Sequence, residues 1–240
     1  MRTFLVTGVS KGLGYELTHS LLSEGNFVCG ISRTSNEKLN KIKLEFNTTF
    51  THLELDLSSI ESISEINKFI TTNRIKFDCY INNAAIAYDE LVTNANITDL
   101  ELMFNTNVIA PIMMTKMVIK NFLLHKTKGN IIHISSISAH TGYKGLSMYA
   151  STKGAIEAFS KNVAREWGEI GIRSNCIVAG FMETDMSDKL TSRQKEKIRN
   201  RTSLKKLTDK KSVINTIKFL QSSQSDSITG QNFFVDSGTI

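Results

Sequence analysis

Tyr149 and Lys153 are four residues apart in the segment Tyr-Ala-Ser-Thr-Lys. Residues at this spacing lie on one face of a helix, about one turn apart. A phenol with an ordinary pKa of about 10 is a weak acid–base group at neutral pH, and a neighbouring ammonium group favours the phenolate and lowers that pKa. The pair therefore predicts an acid–base tyrosine assisted by a lysine. Because this spacing is common by chance, the prediction depends on the motifs around it.

A glycine-rich turn follows the first apolar run of the chain, where residues 7–14 read Thr-Gly-Val-Ser-Lys-Gly-Leu-Gly. Such a turn lets the backbone approach a pyrophosphate, and the N-terminus of the following helix offers free N–H groups to it. The alternative is a purely structural glycine turn. The predicted cofactor contacts in this turn are Gly8, Ser10, Lys11, Gly12, Leu13 and Gly14.

The residues after the second apolar run bear on the choice between NAD and NADP. Enzymes that use NAD place an acidic residue there to bind the adenosine ribose, whereas this chain has Ser32 and Arg33. Arg33 can hold a 2′-phosphate through two N–H groups, and Lys11 adds a second positive charge. We therefore predict that NADP(H) is preferred over NAD(H). The alternative is that both cations are solvated surface residues.

Further cofactor contacts are expected where the third and fourth apolar runs end. Asp56 and Leu57 follow the third run and are expected under the adenine. Asn83, Ala84 and Ala85 follow the fourth run, at the rim where open parallel sheets bind ligands.

Short apolar runs alternate with segments of helical periodicity along the whole chain. The predicted strands are 4–8, 27–32, 50–55, 77–82, 129–135, 173–179 and 232–236. The predicted helices are 12–24, 37–46, 59–73, 98–124, 149–169 and 209–221, with one more inside 188–201. This alternation indicates right-handed crossovers and a parallel sheet covered by helices on both faces. We predict an α/β protein with a single-domain, doubly wound Rossmann-type fold of about seven strands over residues 1–240.

Composition excludes several classes of protein. Apolar residues make up 40 % of the chain and charged residues 22 %, which is typical of a folded domain with a core. The N-terminus has no export signal pattern and no run of 18 apolar residues occurs, so neither export nor membrane spanning is expected. Cys29, Cys79 and Cys176 each lie in an apolar run, which predicts buried free thiols in a cytoplasmic protein. The cysteines and five histidines have no metal-binding spacing, so no metal site is predicted.

The net charge of +6 is concentrated in one segment. Ten lysines and arginines but only two acidic residues lie between Lys189 and Lys211. This distribution does not favour a nucleic-acid-binding body. Because residues 185–211 follow the sixth strand, we predict a lid that covers the substrate and attracts an anionic one. The alternative is a solvated basic helix.

Several motifs together resemble the short-chain dehydrogenase/reductase family over residues 3–238, and the closest similarity is to its 3-oxoacyl-(acyl-carrier-protein) reductase branch. These motifs are the glycine turn, Asn-Asn-Ala-Ala at 82–85, Asn107, Ser136, Tyr-Ala-Ser-Thr-Lys, and Val-Ala-Gly-Phe-Met-Glu-Thr-Asp-Met at 178–186. The resemblance implies that Tyr149 is the general acid–base residue and that Lys153 lowers its pKa and holds the nicotinamide ribose. It implies that Ser136, thirteen residues before Tyr149, binds the substrate carbonyl. Asn107 would support a proton relay through water.

The same resemblance implies further cofactor contacts. These are Tyr149, Lys153, Ala179, Gly180, Met182 and Thr184. The chain departs from the family at Ala85 and Ala179, where glycine and proline are usual, and it keeps small side chains at both positions. At Ile170, carrier-protein reductases often have a basic residue for docking the acyl carrier.

Pro111 allows a prediction from covalent structure alone. Proline has no N–H, so the carbonyl of Asn107, four residues earlier, loses its helical partner and the helix should kink there. The freed carbonyl can hold the relay water. The alternative is a tolerated proline in an amphipathic helix.

Together these features predict an NADP(H)-dependent oxidoreductase that reduces a ketone to a secondary alcohol, with a 3-oxoacyl thioester as the leading substrate class. The alternatives are a sugar, polyol or nucleotide-linked sugar ketone, and a non-catalytic regulator that binds the nucleotide. Apolar residues on more than one side of helices 98–124 and 149–169 suggest burial beyond the sheet. The family forms a dimer within a tetramer through these helices, so we expect a homo-oligomer. Burial in the core explains the pattern equally well.

Overall fold

The computed structural model describes residues 1–183 and 191–240. The strands are β1 (Thr3–Thr7), β2 (Phe27–Ser32), β3 (Phe50–Glu54), β4 (Cys79–Asn82), β5 (Asn130–Ser136), β6 (Arg173–Ala179) and β7 (Asn232–Val235). The α-helices are α1 (Gly12–Ser23), α2 (Glu37–Glu45), α3 (Ile60–Thr72), α4 (Ile97–Phe104), α5 (Ala110–Leu124), α6 (Ser147–Trp167), α7 (Ser192–Arg201) and α8 (Lys210–Gln221).

The strands form one parallel sheet in the order β3-β2-β1-β4-β5-β6-β7. The chain builds outward from β1 through β2 and β3, then crosses to β4 and builds outward on the other side. The topological switch between β1 and β4 is where sheets of this kind bind ligands, beyond the carboxyl ends of the strands. The predicted doubly wound α/β fold is confirmed.

The core has two parts, one on each face of the sheet. Alternate residues of β1 point to opposite faces, so Phe4 and Val6 pack with one part and Leu5 with the other. The first part includes residues of α1, α2 and α8, and the second includes residues of α3, α5 and α6. The three cysteines are buried and free, as predicted. Because helices cover both faces of the sheet, a ligand can reach the strands only at their ends.

Residues 97–124 form one helical stretch that is interrupted before Pro111. A π-helical turn, Asn105–Ile109, joins α4 to α5, and the N–H of Ala110 donates to the carbonyl of Asn105, five residues earlier. The disruption predicted near Asn107 thus takes the form of a π-helical turn. The stretch is long and apolar enough to cross a membrane by length and composition, but 61 % of its apolar window is buried inside the fold. Core helices pass the same test.

The predicted lid falls only partly within the described residues. Thr184 and residues 185–190 lie outside them. Helix α7 begins with a capping box, in which Thr191 accepts a hydrogen bond from the N–H of Gln194, and no residue of the helix is buried. Its C-terminal end is joined to the chain terminus, because the N–H of Ser203 donates to the carbonyl of Gly238 at 2.8 Å.

Candidate active site

The glycine turn after β1 has a backbone that other residues would not adopt easily. Gly8 and Gly12 have positive φ angles of 75° and 57°. A Cβ atom on Gly14 would lie 2.1 Å from the carbonyl oxygen of Gly8, which is far inside contact distance. The turn therefore requires glycine at these positions, which makes it a close-fitting backbone cradle.

The N-terminus of α1 faces this cradle. The side chain of its N-cap residue, Lys11, caps none of the helix's N–H groups, and the first turn carries no acidic residue. Beside it Ser10 is half-buried, Lys11 is exposed and Leu13 is buried. Uncapped N–H groups and the positive end of the helix dipole favour a bound anion. The residues present thus fit the pyrophosphate of a dinucleotide.

Asn83 joins the glycine turn to the end of β4. Its side-chain N–H donates to the carbonyls of Thr7 at 2.9 Å and Gly8 at 3.3 Å. In return, the hydroxyl of Thr7 accepts from the N–H groups of Asn83 and Ala84 at 3.1 and 3.0 Å. Ala84 and Ala85 are partly buried at this rim. The two predicted cofactor segments therefore lie together at the switch point of the sheet.

The residues after β2 divide between the interior and the surface. The Ser32 hydroxyl donates to the carbonyl of Thr34 at 3.0 Å and lies 2.8 Å from Nε2 of His52. Burial, followed by the positive charge of Lys43, lowers the pKa of His52 to about 4. Arg33 is exposed beside them. The Ser32 hydroxyl is thus engaged inside the protein, while the Arg33 guanidinium faces solvent.

Sequence reasoning missed an acidic residue near this position. Glu54 ends β3 and is aligned with Ser32 in the sheet. Its carboxylate accepts a hydrogen bond from the N–H of Ser35 at 3.1 Å. The predicted parallel pairing of β2 with β3 could have indicated Glu54, because the last residues of two parallel neighbouring strands lie side by side. Asp56 is exposed two residues later, and Leu57 packs in the core.

Ser136 and Tyr149 meet at the carboxyl end of β5. Ser136 ends the strand, and its hydroxyl accepts a hydrogen bond from the N–H of Ser138 at 3.1 Å. Tyr149 lies in the first turn of α6 and is half-buried. Burial raises the pKa of the Tyr149 phenol above its ordinary range and the charge of Asp89 adds to this rise, whereas a hydrogen bond with the Ser136 side chain opposes it.

Lys153 is buried one turn further along α6. Its Nζ donates to the carbonyl of Ile134 at 2.8 Å and lies 5.5 Å from the centroid of the Tyr149 ring. Burial lowers the pKa of Lys153 to about 8, and Cys176 and Glu157 oppose that fall. The lower Tyr149 pKa expected from the sequence is not found: the net pKa is raised in this structure. Removal of the phenol from water outweighs other influences, and the ammonium group is bound to a backbone carbonyl.

Asn107 lies in the π-helical turn and is 2 % exposed. Its side-chain amide pairs with the backbone of Ile86, donating to the carbonyl at 2.8 Å and accepting from the N–H at 2.9 Å. It also donates to the hydroxyl of Thr152 at 3.1 Å. Asn107 therefore links the segment after β4 to the Tyr149 helix, and these partners were not apparent from the sequence.

Gly180 follows β6 and is tightly packed against residues near the C-terminus. A Cβ atom on Gly180 would lie 2.2 Å from the hydroxyl oxygen of Thr208 and 2.6 Å from Cα of Asp236, so only glycine fits. Ala179 is buried and Met182 packs against the core. The predicted contact at Thr184 lies outside the described residues.

The site thus combines a phosphate cradle with a serine, a tyrosine and a lysine at one edge of a doubly wound sheet. A family model described as enoyl-(acyl carrier protein) reductase matches residues 8–239. The chain belongs to the short-chain dehydrogenase/reductase family. Like other members of this family, it is an oxidoreductase that uses a nicotinamide cofactor. In the described residues, no group of three or more His, Cys, Asp or Glu side chains could hold a metal ion.

Curated relatives in this family match nearly the whole chain. The 3-oxoacyl-(acyl-carrier-protein) reductase of Buchnera aphidicola from Acyrthosiphon pisum is 30 % identical over 237 residues, which is 99 % of this chain and 96 % of the relative. The reductase of the same name from Haemophilus influenzae is 30 % identical over 234 residues, 98 % of this chain and 96 % of the relative.

Two solved structures match the fold closely. ElxO with bound NADP superposes with a TM-score of 0.88 at 29 % identity and covers 100 % of this chain and 99 % of its own. A 4-hydroxyisoleucine dehydrogenase complexed with NADH has a TM-score of 0.95 at 24 % identity, covering 100 % and 98 %. At that identity the second structure supports the fold alone.

Proposed function

We propose that this oxidoreductase uses NADPH to reduce a ketone to a secondary alcohol, with Tyr149 as the proton donor. The observation that carries the proposal is the position of Tyr149 beside Ser136, at the same sheet edge as the glycine cradle. A carbonyl oxygen held by the Ser136 hydroxyl would lie next to the phenol. Proton transfer from a positioned side chain is general acid catalysis.

The nicotinamide cofactor, when bound, supplies the hydride, and the protein supplies orientation and the proton. Ser136 binds and polarises the substrate carbonyl. The Tyr149 phenol is protonated at neutral pH and can therefore donate a proton to the substrate oxygen. Below its pKa of about 8, Lys153 carries a positive charge that would stabilise the phenolate left on Tyr149. The same side chain would hold the nicotinamide ribose of the cofactor.

The preference for NADP(H) is supported by charge at the adenosine end of the cradle. Arg33 and Lys11 are both exposed there, and ElxO, at 29 % identity, has NADP bound. The negative charge of Glu54 opposes binding of a 2′-phosphate, but its carboxylate already accepts a hydrogen bond from the N–H of Ser35. A planar guanidinium suits a phosphate through two hydrogen bonds.

The leading substrate class is a 3-oxoacyl thioester on a carrier. This proposal is supported by the names of the relatives at 30 % identity and by the basic surface of α7. A sugar, polyol or nucleotide-linked sugar ketone is the alternative substrate class. The family description also names an enoyl reductase, whose substrate is a carbon–carbon double bond.

We also propose a homo-oligomer, a dimer or tetramer, formed through the helical stretch 97–124 and α6. The support is a set of exposed apolar side chains on the first of these, namely Ile97, Leu102, Ile109, Leu123 and Leu124. Sedimentation of the purified protein would test the oligomeric state.

The cytoplasm is the proposed compartment, because three free cysteines suit a reducing environment.

The test of function follows NADPH oxidation with an acetoacetyl thioester, a panel of sugar ketones and a crotonyl thioester. Tyr149→Phe should lower ketone turnover by about 10²–10⁴-fold, because it deletes the proton donor and keeps the ring. NADPH binding, followed by fluorescence, should be unchanged. Tyr80→Phe is the matched control, since that buried hydroxyl has no hydrogen-bond partner among the described residues.

Each alternative predicts a different result. Turnover of the crotonyl thioester alone would identify an enoyl reductase. NADPH binding without turnover of any of these compounds would place the substrate outside the three classes tested. Near-normal ketone reduction by the Tyr149→Phe variant would remove Tyr149 from the mechanism.

A further inference from the structure

Glu157 is a buried carboxylate on α6, one turn after Lys153, and is only 6 % exposed. Its Oε1 accepts a hydrogen bond from the hydroxyl of Ser135. Its Oε2 lies 2.7 Å from Nε2 of His140 and accepts from the side-chain N–H of Asn232 at 2.5 Å. We refer to Ser135, His140, Glu157 and Asn232 as the Glu157 cluster. None of its members was among the predicted site residues.

A carboxylate is buried at low cost only when hydrogen-bond donors satisfy its oxygens. Here the three donors come from β5, from the segment between β5 and α6, and from β7. Because an ionised carboxylate only accepts, Nε2 of His140 carries the hydrogen in this contact. The Glu157 cluster therefore ties α6 to three other parts of the chain through one side chain.

The Glu157 cluster adjoins the catalytic serine and lysine. Ser135 immediately precedes Ser136 in β5. Lys153 donates to the carbonyl of Ile134, the residue before Ser135. Helix α6 thus holds the end of β5 at two successive residues, once through Lys153 and once through Glu157. These two contacts hold the end of β5, which includes Ser136, close to the helix that carries Tyr149.

His140 extends this restraint to the segment that leads into Tyr149. It follows the 3-10 turn Ile137–Ala139, which the Ser136 hydroxyl caps by accepting from the N–H of Ser138. The His140 ring packs edge-on against Phe234 of β7, with centroids 4.8 Å apart. The segment after Ser136 is therefore fixed to α6 by its polar contact with Glu157 and to β7 by its aromatic contact with Phe234.

We propose that Glu157 is a positioning residue for carbonyl reduction: its carboxylate holds Ser136 and Lys153 in place against Tyr149. The inference rests on the proposed function, since it assumes that these three residues act on a carbonyl. Catalytic groups displaced by about 1 Å can lose about 100-fold in rate, so a buried restraint on two of them affects turnover directly.

The charge of Glu157 also acts on Lys153. Burial lowers the pKa of Lys153, and the neighbouring Cys176 of β6 and Glu157 raise it. The other titratable groups facing the ammonium are Tyr149 on α6 and His133 on β5, whose own pKa is lowered to about 3 by burial and then by Lys153. Removing the carboxylate's charge should therefore lower the pKa of Lys153 below about 8.

The first experiment compares wild type with Glu157→Gln, which keeps the shape and removes the charge. We expect kcat for ketone reduction to fall about 10–100-fold, while KM for NADPH changes by less than about threefold, because the glycine turn and Arg33, which supply other proposed NADPH contacts, are unchanged. The basic limb of the kcat/KM pH profile should move to lower pH. Glu166→Gln, on an exposed residue of the same helix, is the matched control and should change neither value.

A second variant separates position from charge. His140→Ala removes the restraint on the segment before Tyr149 but leaves the carboxylate charge in place. It should lower kcat without moving the basic limb. If both variants fold and show wild-type kcat and pH profiles, with only a lower melting temperature, the Glu157 cluster is structural and the proposal is overturned.

An NMR titration of protein labelled at lysine Cε gives a readout that needs no substrate. The Lys153 signal, assigned with Lys153→Met, should titrate at lower pH in Glu157→Gln than in wild type. An unchanged midpoint would contradict the link between Glu157 and Lys153 whatever the substrate is. Failure of wild type to reduce any ketone, with a shifted midpoint, would instead contradict the proposed function alone.

Discussion

The ammonium nitrogen of Lys153 lies 2.8 Å from the carbonyl oxygen of Ile134, to which it donates a hydrogen bond. That carbonyl belongs to β5, two residues before Ser136, so the lysine bridges the Tyr149 helix and the strand that ends in the serine. The lysine is 5 % exposed, and its pKa is lowered to about 8. It therefore titrates close to neutral pH.

The first prediction concerns the pH dependence of ketone reduction. Because burial lowers the Lys153 pKa, the side chain is charged below about pH 8 and neutral above it. We expect kcat/KM to be level near pH 7 and to fall as the pH rises through that value. Lys153→Arg should lose this limb, since a guanidinium stays charged. A wild-type profile that is level to pH 10 would contradict the assignment.

The second prediction is that Arg33→Ala weakens NADPH selectively. The loss of a charge-assisted contact with the 2′-phosphate should cost about 1.5–3 kcal/mol, a fall of roughly 10–150-fold in kcat/KM for NADPH, with little change for NADH. Steady-state kinetics with both cofactors measure this. Arg74→Ala, at an exposed arginine after α3, is the control. Equal use of NADH and NADPH by wild type would exclude the preference.

The third prediction concerns the glycine cradle. Gly14→Ala should destabilise the fold and abolish cofactor binding, because the new Cβ would meet the Gly8 carbonyl at 2.1 Å. Gly154→Ala is the matched helical control, since a Cβ there has nothing within 4 Å and alanine favours helix by up to about 1 kcal/mol. Thermal unfolding with and without NADPH would compare them. Wild-type stability and binding in Gly14→Ala would show that the turn rearranges freely.

The fourth prediction tests the basic helix α7. If its charge attracts an anionic substrate, kcat/KM for a carrier-linked or phosphorylated ketone should fall with salt more steeply than for a neutral ketone, because the screening length shrinks from ~10 Å at 0.1 M to ~3 Å at 1 M. Charge reversal at Arg193, Lys197 and Arg201 should remove the difference.

The control for this fourth prediction reverses Lys68, Arg74 and Lys76, which changes the net charge equally but lies in α3 and the segment before β4. These residues lie toward the amino ends of the strands, away from the site. If both substrates show the same salt dependence and neither set of changes alters it, α7 is only a solvated surface helix.

Much of the fold could be predicted because the relevant patterns are local. The alternation of apolar runs with helical periodicity predicted all seven strands within about two residues at either end. Pro111 predicted a disruption near Asn107 because the missing N–H is a covalent fact. What it could not predict was the form of the disruption, a π-helical turn in which Asn107 contacts Ile86 and Thr152, residues distant in the chain.

The sequence by itself determined the order of the elements, the glycine turn and the spacing of Tyr149 and Lys153, since turn chemistry and helical periodicity act between near neighbours. Only the tertiary structure decided the partners of Asn107, the membership of the Glu157 cluster and the raised pKa of Tyr149. Ser135 and Asn232 bind the same carboxylate although they are far apart in the chain. Hydrogen-bond partners of this kind, and the burial that shifts a pKa, arise only when distant segments pack together and exclude water.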